Sequence, residues 1–367
     1  MDPCINININ KSCCQSGDLP TTPTGSSLPF RSLTEFDTVV HDPTHSIDQT
    51  DAFQAVIDEL ADLNADGYPQ RATALWLPPW SIALKQVRYY STTQIWGSGI
   101  GGRGSAEVNG GVNTAFYQFD GVAQGLIDAG KSPSLFVNDP IDLPIGNWWH
   151  YAQFRNFALR KLPGGVDTVG SGFEINCRAG ELFTIEQISS INFPEDGIHF
   201  KHGCTTCKVS QVSTHQNGRY GVHLERSGSD TYHGTQLGFI SGDNNGRALV
   251  GVTLGGADHD IVYIDGLKSE SRTPGTQPYA VETNNFHGKF LVMNNVSFSN
   301  NGGGAQAILG INGVNTAGYR LQNIAADRSI PYYIQDNVAS VTVPNDTASF
   351  DLGYSNGQVK HNLVRWP

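Results

Sequence analysis

The chain is poor in several things at once, and each shortage narrows what it can be. It has 2 methionines in 367 residues, and charged side chains make up 16% of it. That share lies well under the roughly 25% of an ordinary soluble domain. No apolar run approaches the roughly 18–20 residues of a membrane span, and membrane insertion is not expected. Lysine and arginine total 23 against 34 acidic residues, a formal charge of -11, and no basic cluster interrupts that balance. Nucleic acid is therefore a poor partner, because no stripe of cations is present to displace phosphate counterions. The first residues, from Met1 through Cys4 to Asn10, lack the basic and apolar regions of a secretory leader. That points to synthesis and folding in a cytoplasm.

Cysteine is scarce as well: Cys4, Cys13, Cys14, Cys177, Cys204 and Cys207. Cys204-Thr-Thr-Cys207 has the spacing of half a zinc site or of a redox motif. Two further ligands or a helix start are missing, so reduced, packed thiols are expected there. A disulfide or a site shared between subunits stays open for Cys4, Cys13 and Cys14. No cofactor is called for. Asp258-His-Asp260 reads as a turn rather than a metal site.

What is abundant is glycine, 42 residues, together with asparagine and β-branched residues, the composition of many short strands joined by tight turns. These residues recur. A polar residue or glycine precedes an apolar one at Asn156-Phe157, Gln187-Ile188, Gln211-Val212, Gln236-Leu237, Gly266-Leu267, Asn295-Val296 and Asn323-Ile324. The intervals, by subtraction, are 31, 24, 25, 30, 29 and 28 residues. A second series runs between them: Gly172-Phe-Glu-Ile, Gly197-Ile-His-Phe, Gly221-Val-His-Leu and Gly251-Val-Thr-Leu, continuing at Ala280-Val-Glu-Thr and Ala307-Ile-Leu. Two interleaved strand signals per period predict an all-β solenoid, a parallel β-helix.

The chain divides accordingly into three parts. Residues 1–30 are an arm and linker in which Ile5, Ile7 and Ile9 alternate with asparagine, a strand that needs a neighbouring sheet. Residues 31–339 form the solenoid. Before its first strand, Phe53, Val56, Ile57, Leu60 and Leu63 make one apolar stripe of an amphipathic helix with Asp48 as N-cap, placed to cover the open first coil. Residues 340–367 lose the period; Val341-Thr-Val, Ser349-Phe-Asp-Leu and Val359-Lys suit short strands in a far-end cap or a trimer contact.

Stacking coils at about 4.8 Å makes equivalent residues neighbours. Aligning the second series turns Phe173, Ile198, Val222 and Val252 inward, followed by Ile175, Phe200, Leu224 and Leu254. The residues between them form an outward ladder of Glu174, His199, His223, Thr253 and Glu282. A parallel ladder holds Asn176, Lys201, Glu225 and Gly255. Acid, base and cation on one face are candidates for catalysis (Glu174, His199, His223, Glu225) and for substrate binding (Lys201, Asn176). Glu174 and Glu225, roughly 12 Å apart at the backbone from strand rise and coil spacing, suit an inverting glycosidase rather than a retaining one. His199 and His223 with Lys201 suit a lyase instead, as base and enolate-stabilising cation. The bland alternative is a solvated polar stack. Trp148 and Trp149, in Trp148-Trp149-His150-Tyr151, are further candidates as sugar-stacking aromatics, set against a core or interface role.

Asp48-Gln-Thr-Asp-Ala-Phe, the helix, Leu75-Trp-Leu-Pro-Pro and Ile95-Trp-Gly-Ser-Gly together resemble the entry of the pectin-lyase-like superfamily of right-handed parallel β-helices. Trp80 stands where that family usually has glycine. The resemblance covers residues 35–340 as architecture, with its specific motif confined to 42–104. Neither Gly-His-Gly nor Asn-Thr-Asp of the polygalacturonases is found, nor the clustered aspartates of the calcium-dependent pectate lyases. Phage tailspikes and polysaccharide depolymerases are the members most similar in plan. That likeness implies a homotrimer on the virion, joined to a phage tail or adaptor protein through residues 1–30. It would recognise host surface polysaccharide as a receptor-binding protein and possess or lack depolymerase activity. A non-enzymatic adhesin or structural tail protein is the first alternative. A cell-encoded carbohydrate-active enzyme is the second.

Overall fold

The structure, a computed structural model, describes residues 30–63, 69, 71–100, 113–138, 152–176, 183–201, 204–205, 207–226, 232–233, 235–254, 261–287, 290–313, 318–344, 352–355 and 358–359. The arm with Cys4, Cys13 and Cys14, the Trp148–Tyr151 cluster, Cys177, Gly255 and Asp258–Asp260 lie outside these residues.

The fold is a parallel β-solenoid built from a 14-stranded and a 10-stranded sheet. Strands of the first sheet alternate along the chain with strands of the second, and each pairs in parallel with its equivalent one coil away. One inward column of the first sheet runs Leu75, Ile95, Phe154, Ile185, Val209, Leu237, Ile264, Met293, Leu321. The matching column of the second sheet runs Val87, Phe136, Phe173, Ile198, Val222, Val250, Val281, Leu309, Ile334. All are buried. Each such side chain contributes about 1.5–3 kcal/mol on leaving water, so every coil adds its own share of core.

The first periodic series has a backbone cause. Asn156, Gln187, Gln211, Asn295 and Asn323 all have φ between 50° and 62°, and Gly266 has φ 81°. Each is a left-handed corner that bends its strand, and the apolar residue after it turns into the core. Asparagine and glycine tolerate that region best, which is why a polar-then-apolar pair marks each coil. One pair is misplaced by the spacing: the corner of the fourth coil is Phe239 (φ 54°) with Ile240, not Gln236 with Leu237. Ile240 stacks on Val212 and Leu267, whereas Leu237 lies in the preceding inward column.

A second set of corners carries a buried amide ladder. Asn217 Nδ2 donates to Asn245 Oδ1 at 3.0 Å, and Asn245 Nδ2 donates to Gln277 Oε1 at 2.8 Å. These residues are 0–1% exposed, so the ladder satisfies groups that would otherwise be buried without partners.

The helix Thr50–Ala61 forms as the stripe requires, and Phe53, Val56, Ile57 and Leu60 join the solenoid core. Its N-cap is Gln49 rather than Asp48. Asp48 is held one residue further out, accepting hydrogen bonds from the Thr50 amide and hydroxyl at 3.1 and 2.6 Å and pairing with Lys85. At the far end, Val341–Pro344 and Leu352–Ser355 pair antiparallel with the last solenoid strands. No described helix is long and apolar enough to cross a membrane. Cys207, fully buried before the Lys208–His215 strand, is disulfide-bonded rather than a free thiol.

Candidate functional site

The outward column of the second sheet runs Arg88, Val137, Glu174, His199, His223, Gly251, Glu282, Gly310, Gln335. Glu174, His199 and His223 are thus direct neighbours, as the repeat spacing indicates. Thr253 is not in that column. It pairs with Glu225, two residues on, in a second column continuing to Asn284 and Asn312. Val252 likewise follows Leu224, and Val250 takes the inward place assigned to it.

The two-residue slip has a steric origin. Gly221 and Gly251 head identical-looking segments for different reasons. A Cβ on Gly221 would meet Thr214 Oγ1 at 2.1 Å and the Leu249 carbonyl at 2.7 Å, while one on Gly251 would meet the Tyr220 ring at 2.6 Å. The first glycine admits the close approach of Thr214 and Leu249, whereas the second makes room for an aromatic ring lying on the outer face.

The histidines are locked. Their rings stack at 4.6 Å between centroids with 16° between planes, and both are at most 5% exposed at the side chain. The organiser is Asp196, fully buried in the corner before the Ile198–Phe200 strand. It accepts from Arg219 Nη2 at 2.6 Å, from the Tyr220 amide at 3.1 Å and from His223 Nδ1 at 3.2 Å. Burial opposes its charge, but His223, His199 and Arg219 overcome that and hold the carboxyl below its ordinary range. His223 receives a bond from Thr253 on its other nitrogen, at 3.1 Å. Burial lowers the pKa of His223 against the pull of Asp196, so the neutral ring is favoured. His199 donates from Nε2 to Glu225 at 2.6 Å, and its buried Nδ1, 3.4 Å from Asp196, makes no hydrogen bond.

Ligand atoms of Asp196, His199 and His223 lie within 4.8 Å of one another, a spacing compatible with a metal ion. The Arg219 guanidinium already supplies positive charge to Asp196, so the residues fit a neutralised network better than a cation site.

Glu225 is the partly open member, with its side chain 40% exposed. The hydrogen bond from His199 lowers its pKa to about 2, against the opposing effect of burial. Glu174 is buried and accepts from Ser134 Oγ at 2.8 Å and Asn176 Nδ2 at 2.7 Å, with Lys201 Nζ at 2.9 Å. Burial raises its pKa, but Lys201 and these donors outweigh it and keep the group ionised. Neither carboxyl is therefore a ready proton donor near neutral pH. An inverting glycosidase needs one.

Glu174, Asn176 and Lys201 also line one end of a cleft of about 830 Å³ between the start of the column and the helix Thr50–Ala61. Asp48, Asp51, Asp58, Lys85, Arg88, Tyr90 and Lys131 line the rest. Its wall is fixed: Gln54 exchanges hydrogen bonds with the Arg88 backbone at 2.8 and 3.0 Å, and Tyr90 donates to Asp58 at 2.6 Å. Spacing could not reveal this cleft, because one wall of it comes from the helix outside the repeat. Asp196 and Arg219 were also missed. Their signal is Arg219 and Arg247, which follow Asn-Gly at 217–218 and 245–246, one coil apart. Arg247 pairs with Glu282 at 2.6 Å, and Glu282 accepts from Tyr220 at 2.8 Å.

No protein-family model matches the chain, and no curated protein matches it.

Proposed function

We propose that this chain is a polysaccharide-recognising β-helix of the phage tailspike kind, a right-handed coil acting as a homotrimeric receptor-binding protein at the host surface. The observation that carries the reading is the cleft beside Glu174, Asn176 and Lys201. Carboxylates, amides, ammonium groups, a guanidinium and one tyrosine converge there on a space large enough for a short saccharide. Such a mixed set suits a ligand rich in hydroxyls, which both donate and accept. In this reading, residues 1–30 join a phage tail or adaptor protein, and the antiparallel strands after residue 340 serve the trimer.

Titration calorimetry against a panel of purified surface polysaccharides tests the cleft. Lys201→Ala and Lys131→Ala should each weaken binding about tenfold, the worth of a hydrogen bond to a charged group. Unchanged affinity in both would exclude the cleft. Deleting residues 1–30 should leave a folded trimer that fails to join particles.

Depolymerisation is the second reading, favoured by the partly open Glu225 carboxylate paired with His199 on the outer face. If oligosaccharides are released, Glu225→Gln or His199→Ala should slow release about a hundredfold or more. Unchanged turnover in both removes this face from consideration.

A further inference from the structure

The first sheet carries a separate constellation. Ser213 and His215 are alternate residues of the Lys208–His215 strand, and Asp243 stacks beside His215 from the next coil. Ser213 Oγ lies 2.7 Å from His215 Nε2, and His215 Nδ1 lies 2.8 Å from Asp243 Oδ1. A carboxylate only accepts hydrogen bonds, so Nδ1 carries the proton and Nε2 is left to accept from the serine hydroxyl. Asp243 is held in turn by Arg272, whose Nε is 3.3 Å from Oδ2. The Ser241 hydroxyl, one coil on, lies 3.4 Å from Ser213 Oγ. His215 is 15% exposed at the side chain, while Asp243 beneath it is 4% exposed.

We propose that Ser213, His215 and Asp243 form a serine hydrolase site for short-chain carboxylic esters. Nucleophile, base and orienting carboxylate are recognised by geometry and role rather than by fold. Ser213 Oγ attacks the acyl carbon as its proton passes to His215 Nε2. The carbon–alkoxide bond breaks, and that proton leaves with the alcohol. Water then attacks the acyl-serine, giving one proton to His215, which returns it to Ser213 as the carboxylic acid departs. Ser241 is the hydroxyl placed to donate to the oxyanion. One hydroxyl donor suits an ester, whose leaving group departs more readily than an amine. The column through Ser189, Ser213, Ser241 and Lys268 is polar, which favours a short acyl group on a hydrophilic alcohol. The site is separate from the cleft, and its failure leaves the polysaccharide reading intact.

The test uses full-length protein with 4-nitrophenyl acetate as substrate and a fluorophosphonate as covalent probe. The probe should label Ser213, located by peptide mass spectrometry. Ser213→Ala and His215→Ala should each slow ester turnover about a hundredfold or more. Asp243→Asn, acting by positioning, should lower kcat about tenfold or more with KM unchanged. Ser297→Ala, further along the same column, should leave the rate as it was. Wild-type protein that remains unlabelled, label on another serine, or full turnover in a folded Ser213→Ala variant overturns the proposal. The labelling arm needs no variant, so a folding defect does not obscure the answer.

Discussion

Two histidine–aspartate pairings occur on the two sheets of one solenoid, and they differ in what surrounds them. On the second sheet, Asp196 is fully buried beneath two stacked imidazoles and a guanidinium. On the first, Asp243 holds one imidazole whose other nitrogen meets a partly exposed serine hydroxyl. The same stacking rule places both pairs. Burial and the third partner decide whether the result is a fastening between coils or a group able to exchange a proton.

The contrast can be broken most decisively at Asp196. Asp196→Ala leaves Arg219 and His223 facing a buried void and should cost about 3–5 kcal/mol in denaturant unfolding. Asp243→Asn keeps the shape of its site and should cost markedly less. Equal losses would abolish the distinction. Next in size is the amide ladder joining successive coils. Asn245→Ala removes buried partners of Asn217 and Gln277 and should cost about 1–3 kcal/mol by the same measurement.

Acid titration sharpens the comparison further. Glu225 has a folded pKa of about 2 against an ordinary 4.5, so it stabilises the fold fully above pH 4.5. That contribution is lost as pH falls toward 2. Glu225→Gln should flatten the stability profile in that window while leaving the neutral limb in place. The smallest effect belongs to the corners. Gly266→Ala forces a Cβ into a left-handed residue, 3.0 Å from the Phe239 ring. It should lower stability by about 1–2 kcal/mol, read as a shift in the thermal midpoint.

The solenoid was legible because its corners impose a chemical signature. A left-handed residue followed by an inward apolar one must be asparagine-like or glycine in most coils, and the pattern failed where Phe239 took that place. The neighbourhood of Glu174, His199 and His223 followed directly from the spacing. Thr253 was misassigned because glycine answers to two different steric demands, and a sequence shows only that glycine is present. Asp196 escaped notice because it sits in a turn between strands, where no alternation exists to be read. The cleft was invisible for another reason: its walls come from a helix and a sheet that share no period.

The outer face holds one more regularity. Tyr220, Ala248, Tyr279, Ala307 and Tyr332 are successive partners across five coils. Large alternates with small, and Gly251 and Gly310 lie beneath the rings of Tyr220 and Tyr279. Duplicating a tyrosine coil would set tyrosine against tyrosine and a ring over a residue with a Cβ, while duplicating an alanine coil would set alanine on alanine and leave the outer face unfilled. The unit that can be copied without conflict is a pair of coils. Growth or shortening of this segment by whole modules should therefore proceed in twos.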